Sequence, residues 1–170
     1  MFVKMEFNKE KIKQVIHYII HKCQNQPYFG KTVLYKLMYF SDFNYYEKYE
    51  KLITNEKYVK KHHGPTPSNF EELINELINE NKIGEKTEQV YTHYRHKYYS
   101  SKNPDDSLLN NKELEVINNV INELSHMNAK KISEYSHGDK PWRVAKFRDV
   151  LDPEFVFYRT DEYSVREYDE

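Results

Sequence analysis

Asp42 and His137 have the side chains of an acid–base pair, and Trp142 could supply an aromatic wall beside them. A carboxylate orienting an imidazole is the start of many catalytic sites. Asp42 follows Met38 by four residues and Leu34 by eight, so it points with the apolar face of its helix. A buried carboxylate must be paired, hydrogen-bonded or protonated. Ser136, His137 and Trp142 lie on Ser136-His137-Gly138-Asp139-Lys140-Pro141-Trp142, which reads as a helix end, a tight turn and a new helix start. Gly138 suits a left-handed helix stop and Pro141 the first turn of the next helix. That spacing holds the hydroxyl, the imidazole and the only tryptophan close together. No nucleophile motif or phosphate loop accompanies the trio, so a structural knot is the favoured reading. In it, Asp42 accepts hydrogen bonds from His137, from backbone N–H groups at a helix start or from the Trp142 indole. Asp42, His137 and Trp142 are expected to cluster in the interior.

Other chemistry-bearing groups are weaker. His17 and His21 have the i, i+4 spacing of helical zinc ligands, but Tyr18-Ile19-Ile20 between them lacks a metalloprotease glutamate. A solvated helix face is expected. His62-His63 and the histidines of His93-Tyr94-Arg95-His96 fall on opposite faces of a strand, poor geometry for one metal. Lys57, Lys60, Lys61 and Arg95, interleaved with Tyr and His, could grip single-stranded nucleic acid, yet lysines also guard sheet edges. The balance of 26 Lys and Arg against 27 Asp and Glu, net −1, favours the guard and argues against a nucleic-acid partner. The single cysteine, Cys23, excludes a disulfide framework and a cysteine zinc site. No secretory leader or membrane-length apolar run is read, so a reducing cytoplasm is the expected home, with no membrane partner. No metal, cofactor or catalytic residue is expected.

The elements that must position these groups follow from periodicity. Asn8 caps a helix with an apolar stripe from Ile12 to Cys23. Lys31 to about Tyr49 is apolar on nearly every side, the pattern of a helix in the middle of a core. Lys57–His62 reads as a strand stopped by the turn Gly64-Pro65-Thr66-Pro67, and Ser68 with Glu71 as a capping box for a third helix. Residues 90–99 alternate like a strand that pairs with 57–62 or with 83–86. Asn110 with Glu113 opens a fourth helix, a short helix runs from Asn128 to His137, and another from Pro141 to Phe147. Pro153 precedes an edge strand, Phe155–Arg159. The expectation is an α+β, mostly α-helical fold: a helical core around a central buried helix, with a small antiparallel β-sheet on one side. Residues 1–160 form one domain, and 161–170 a net acidic, mobile tail.

Three ordered segments resemble the Panacea, or SocA-like, antitoxin domain of bacteria and their phages. They are Lys36-Leu37-Met38-Tyr39-Phe40-Ser41-Asp42; Leu52-Ile53-Thr54-Asn55-Glu56-Lys57-Tyr58 running to Gly64-Pro65-Thr66-Pro67; and Ser136-His137 followed by Pro141-Trp142. The resemblance makes Leu37, Tyr39, Asp42, Gly64, Pro65, Ser136, His137, Pro141 and Trp142 the family's motif residues. It implies a mostly helical, non-enzymatic antitoxin that neutralises a cognate toxin by direct protein–protein binding. One member of the family delivers its toxin to a protease, so an adaptor serving a cytoplasmic protease is the second reading. A hydrolase using Asp42 and His137 is the third. The family implies a partner, while composition and position suggest its contacts: Tyr158, Tyr163 and Tyr168 with the acids Asp161, Glu162 and Glu167.

Overall fold

The computed structural model describes residues 7–168. The Asn8 side chain accepts from the Lys11 N–H at 3.1 Å and opens α1, Lys9–Cys23. Helix α2, Lys31–Tyr49, follows and is buried along nearly its whole length, from Val33 to Glu47. An all-round apolar helix must be enclosed, and α2 is packed by most of the other elements, as its sequence predicts.

After α2 the chain forms β1, Tyr58–Lys61, and β2, Gly64–Pro67, an antiparallel pair from Tyr58↔Pro67 to Lys61↔Gly64. The segment expected to be only a turn is therefore itself a strand, and His62-His63 make the turn. Its two prolines are tolerated because β2 is an edge. Helix α3, Phe70–Asn79, leads into β3, Ile83–Val90, and β4, His93–Ser100, paired from Ile83↔Ser100 to Val90↔His93. Of the two pairings the alternation allowed, the local one forms. The strands make two separate two-stranded sheets rather than one. Helices α4, Asn111–Leu124, α5, Ala129–His137, and α6, Lys140–Val144, complete the helical core. Asn110 and Glu113 make both bonds of the expected capping box. The architecture is α+β and mostly helical.

Several local expectations are corrected. Ser68 and Glu71 form no capping box. Instead the buried Glu56 carboxylate accepts from the Asn69 N–H, the Asn69 side chain and the Ser68 hydroxyl, and so closes the start of α3 from outside. Residues Pro153–Tyr158 are a 3-10 helix, not an edge strand, because the Asp152 side chain caps the Glu154 N–H ahead of Pro153. Helix α6 stops at Val144 rather than Phe147. Gly138 has φ −81, an ordinary right-handed value, so it is not there for backbone freedom. A Cβ at this position would meet the Tyr163 hydroxyl at 2.0 Å, so glycine supplies room. His17 is buried rather than solvated: its Nε2 and the His21 Nδ1 both bond the Ser100 hydroxyl. Among the described residues no three metal-ligating side chains meet, and no helix is long and apolar enough to cross a membrane. The tail expected to be mobile is anchored from Tyr163 to Tyr168. Its last two acids, Asp169 and Glu170, lie outside the described residues.

Candidate functional site

Polar side chains spaced along the largely apolar α2 hold several other parts of the chain. Asp42, 1% exposed, accepts from the backbone N–H of Ile53 and Thr54, both at 2.9 Å. The Thr54 and Tyr58 hydroxyls donate to its other oxygen, both at 2.6 Å. Burial raises the Asp42 pKa to about 6, against these four hydrogen bonds, which favour the carboxylate. Thus Ile53, Thr54 and Tyr58 of the second segment are the residues that satisfy Asp42 of the first.

The expected interior trio does not form around Asp42. His137 stacks instead on Trp142, with ring centroids 4.2 Å apart and planes 19° off parallel. Lys60 Nζ also lies over the indole, 4.0 Å from the ring centre, and donates to the Ala145 carbonyl. Neither His137 nor Trp142 donates to Asp42, and the buried His137 Nε2 and Trp142 Nε1 have no partner among the described residues. Burial lowers the His137 pKa, with a backbone contact to His62 acting the other way.

The carboxylate that does join the third segment to α2 is Asp139. Tyr39 donates to its Oδ2 at 2.7 Å, and Arg159 grips both of its oxygens at 2.8 Å. The same guanidinium reaches Asn44 at 2.9 Å and Glu47 at 3.1 Å. Side chains of Arg159, Asp139 and Glu47 are all fully enclosed. Burial works against the charge of Arg159, but Asp139 and Glu47 outweigh it and hold its pKa above the ordinary value. Glu47 then captures the C-terminal segment: it accepts from the Ser164 hydroxyl, the Val165 N–H and the Tyr168 hydroxyl. Tyr163 donates to the Tyr135 carbonyl at 2.9 Å. The sequence reading missed Asp139, Arg159 and Glu47. The only local signal was Asp139 inside the Ser136–Trp142 stretch, where it also precedes α6 as its cap.

Lys36 is another of these α2 side chains. It is 1% exposed and donates to the Pro65 carbonyl at 3.1 Å. Gly64, at φ +110, lies against it: a Cβ there would meet Lys36 Cε at 2.7 Å and the Ser136 hydroxyl at 2.3 Å. So Lys36, Gly64-Pro65 and Ser136, one from each segment, converge on one point. Leu37 is wholly buried in the core and Pro141 is buried at the start of α6. Lys36 also lines a cleft of about 770 Å³.

Chemically, Asp42 and the Arg159 cluster are closed: their polar atoms are satisfied and out of reach. The Lys36 cleft, by contrast, joins a buried ionisable group to the outside. Of the surface residues expected to meet a partner, Tyr158 and Tyr168 are 69% and 49% exposed, and Asp161, Glu162 and Glu167 are exposed. Tyr163 is half-buried. A separate exposed set, Tyr28, Tyr91 and Tyr94, lines a groove of about 410 Å³ beside the β3–β4 hairpin. The basic set suggested for nucleic acid is divided: Lys60 and Lys61 lie on β1, whereas Arg95 lies on β4 and pairs with Glu88 at 2.9 Å.

No curated protein and no solved structure matches this chain. Residues 34–143 match the family described as antitoxin SocA-like, Panacea domain. The match covers well over half of the chain, and the chain belongs to that family.

Proposed function

We propose that this member of the SocA-like Panacea family neutralises a cognate toxin by binding it directly, with Tyr158, Tyr163, Tyr168, Asp161, Glu162 and Glu167 as the contact surface. The observation that carries the reading is the fixing of the C-terminal segment. Glu47 holds Ser164, Val165 and the Tyr168 hydroxyl, and Tyr135 holds Tyr163, while Tyr158 and the three acids face out and the Tyr168 ring stays 49% exposed. A surface held in place before the partner arrives loses little conformational entropy on binding. Tyrosine adds large contact area at small entropy cost, and outward acids draw a basic partner. A hydrolase built on Asp42 and His137 has no support, because the two side chains are not paired.

The test is co-expression with the product of a neighbouring gene that arrests growth. Direct neutralisation expects growth to be restored and the two proteins to co-purify in equal amounts. Substitution of Tyr158 by Ala, which leaves every bond to Glu47 in place, should weaken both. Restoration that occurs only while a cytoplasmic protease removes the toxin would replace this reading with the adaptor. If the Tyr158 variant still rescues and Tyr91→Ala with Tyr94→Ala does not, the interface lies at the hairpin.

A further inference from the structure

We propose that the cleft floored by Lys36 binds a soluble nucleotide, its phosphates seated on Lys36, Lys61 and Arg148 and its planar ring laid against Phe147 and Tyr35. The proposal is independent of how a toxin is bound. At about 770 Å³, the cleft has the size of ordinary small-ligand sites. Its lining is segregated in charge. Lys36, Lys61, His62, His63 and Arg148 face it and no acid among the described residues does, in a chain whose net charge is only −1. Such a cleft focuses a positive potential on whatever enters.

Lys36 gives the cleft its depth. An ammonium has three protons to donate, and the one acceptor shown for it is the Pro65 carbonyl. No carboxylate among the described residues pairs with it, and burial lowers its pKa to about 7. A buried amine with spare donors and no counter-ion is completed by an incoming anion. Gly64 leaves the space beside Lys36 Cε that any side chain would fill. Nearby, the buried Nε2 of His137 is a further polar atom without a partner. The rim is aromatic. Phe147 is 52% exposed and meets His62 edge-on at 5.6 Å, and Tyr35 carries the Lys36 Nζ 5.8 Å from its ring centre. Cations at the floor and flat apolar rings at the rim suit a phosphate joined to a base better than a bare anion.

The test is calorimetric titration of the full chain with ADP, inorganic phosphate and adenosine. ADP should bind, phosphate more weakly, and adenosine not at all. Lys36→Met should weaken ADP roughly 10- to 100-fold, the loss of a charge-assisted hydrogen bond. Because Lys36 is buried, a rim variant, Lys61→Ala with Arg148→Ala, keeps the test independent of folding. It should weaken ADP by about tenfold with an unchanged melting temperature. Binding at pH 8 should also take up a proton, read as heat that varies with buffer ionisation, and Lys36→Met should abolish that uptake. In Lys36→Met, Lys61, Arg148, His62 and His63 still face the cleft and His137 lies within electrostatic range of it, so a persisting uptake would belong to them and would overturn the seat on Lys36. The nucleotide site is overturned if millimolar ADP gives no heat, if both variants bind it like the parent, or if a short oligonucleotide binds and ADP does not.

Discussion

Asp42 and Lys36 sit six residues apart on the same helix and are buried to the same degree, yet their neighbours treat them oppositely. Asp42 is surrounded by four donors, Lys36 by one acceptor. Asp42→Ala should therefore lower stability by about 1–3 kcal/mol, because it strands the Thr54 and Tyr58 hydroxyls and two backbone N–H groups. Denaturant unfolding measures this, and a variant as stable as the parent would refute the role. For Lys36 the sign runs the other way. Its folded pKa, about 7, is below the ordinary 10.5, so the stability it contributes is full above about 10.5 and is lost as pH falls toward 7. Lys36→Met removes that penalty. Its melting temperature should match the parent's at high pH and exceed it increasingly as pH drops to 7. A constant difference across that range would show that burial of the charge is not what Lys36 contends with.

At the scale of elements, the apolar periods of α1, α2 and α4 were legible because each buries a continuous stripe or a full surface, and the Asn8 and Asn110 caps carry their signals within one turn. Strand β2 was not legible, since a Pro-x-Pro segment reads as a turn unless its edge position is known. The Arg159 cluster was hidden for a different reason. Arg159 lies 20 residues from Asp139 and 112 from Glu47, and charged residues at such separations look like surface until the fold brings them together. Gly138 was read as a conformational glycine when its job is spatial. Gly138→Ala should cost about 1–3 kcal/mol as an overpacking change, and much of that loss should vanish in a Tyr163→Leu background, where the hydroxyl is gone. Equal losses in both backgrounds would refute the contact. Arg159→Met should cost about 3–5 kcal/mol, because two enclosed carboxylates lose their cation. Glu47→Ala should instead free the C-terminal segment, read as faster hydrogen exchange at the Val165 amide with little change in α4.

At the scale of the whole molecule the charges are not evenly mixed. Residues 57–63 and 140–148 bring Lys57, Lys60, Lys61, Lys140, Arg143, Lys146 and Arg148 onto adjoining backbone, joined by Lys60 N–H to the Asp149 carbonyl and Arg148 N–H to the Lys60 carbonyl. The C-terminal segment carries exposed Asp161, Glu162 and Glu167. A net charge near zero thus conceals a basic run and an acidic run, and each suits a different partner chemistry. If the acidic one steers a basic toxin, its effect belongs to the rate of encounter rather than to the grip of the complex. Truncation is a poor probe, since it would also remove the Ser164, Val165 and Tyr168 bonds to Glu47. Reversal of the three exposed acids, Asp161→Lys, Glu162→Lys and Glu167→Lys, leaves that anchor in place. The reversed chain should associate with toxin about tenfold more slowly at low salt, with an unchanged dissociation rate. At about 1 M salt, where charges are screened beyond roughly 3 Å, the two association rates should converge. Stopped-flow association across a salt series measures both. A reversed chain that associates as fast as the parent at low salt would move the steering surface off these acids, and one that dissociates faster would make them contacts in the bound complex.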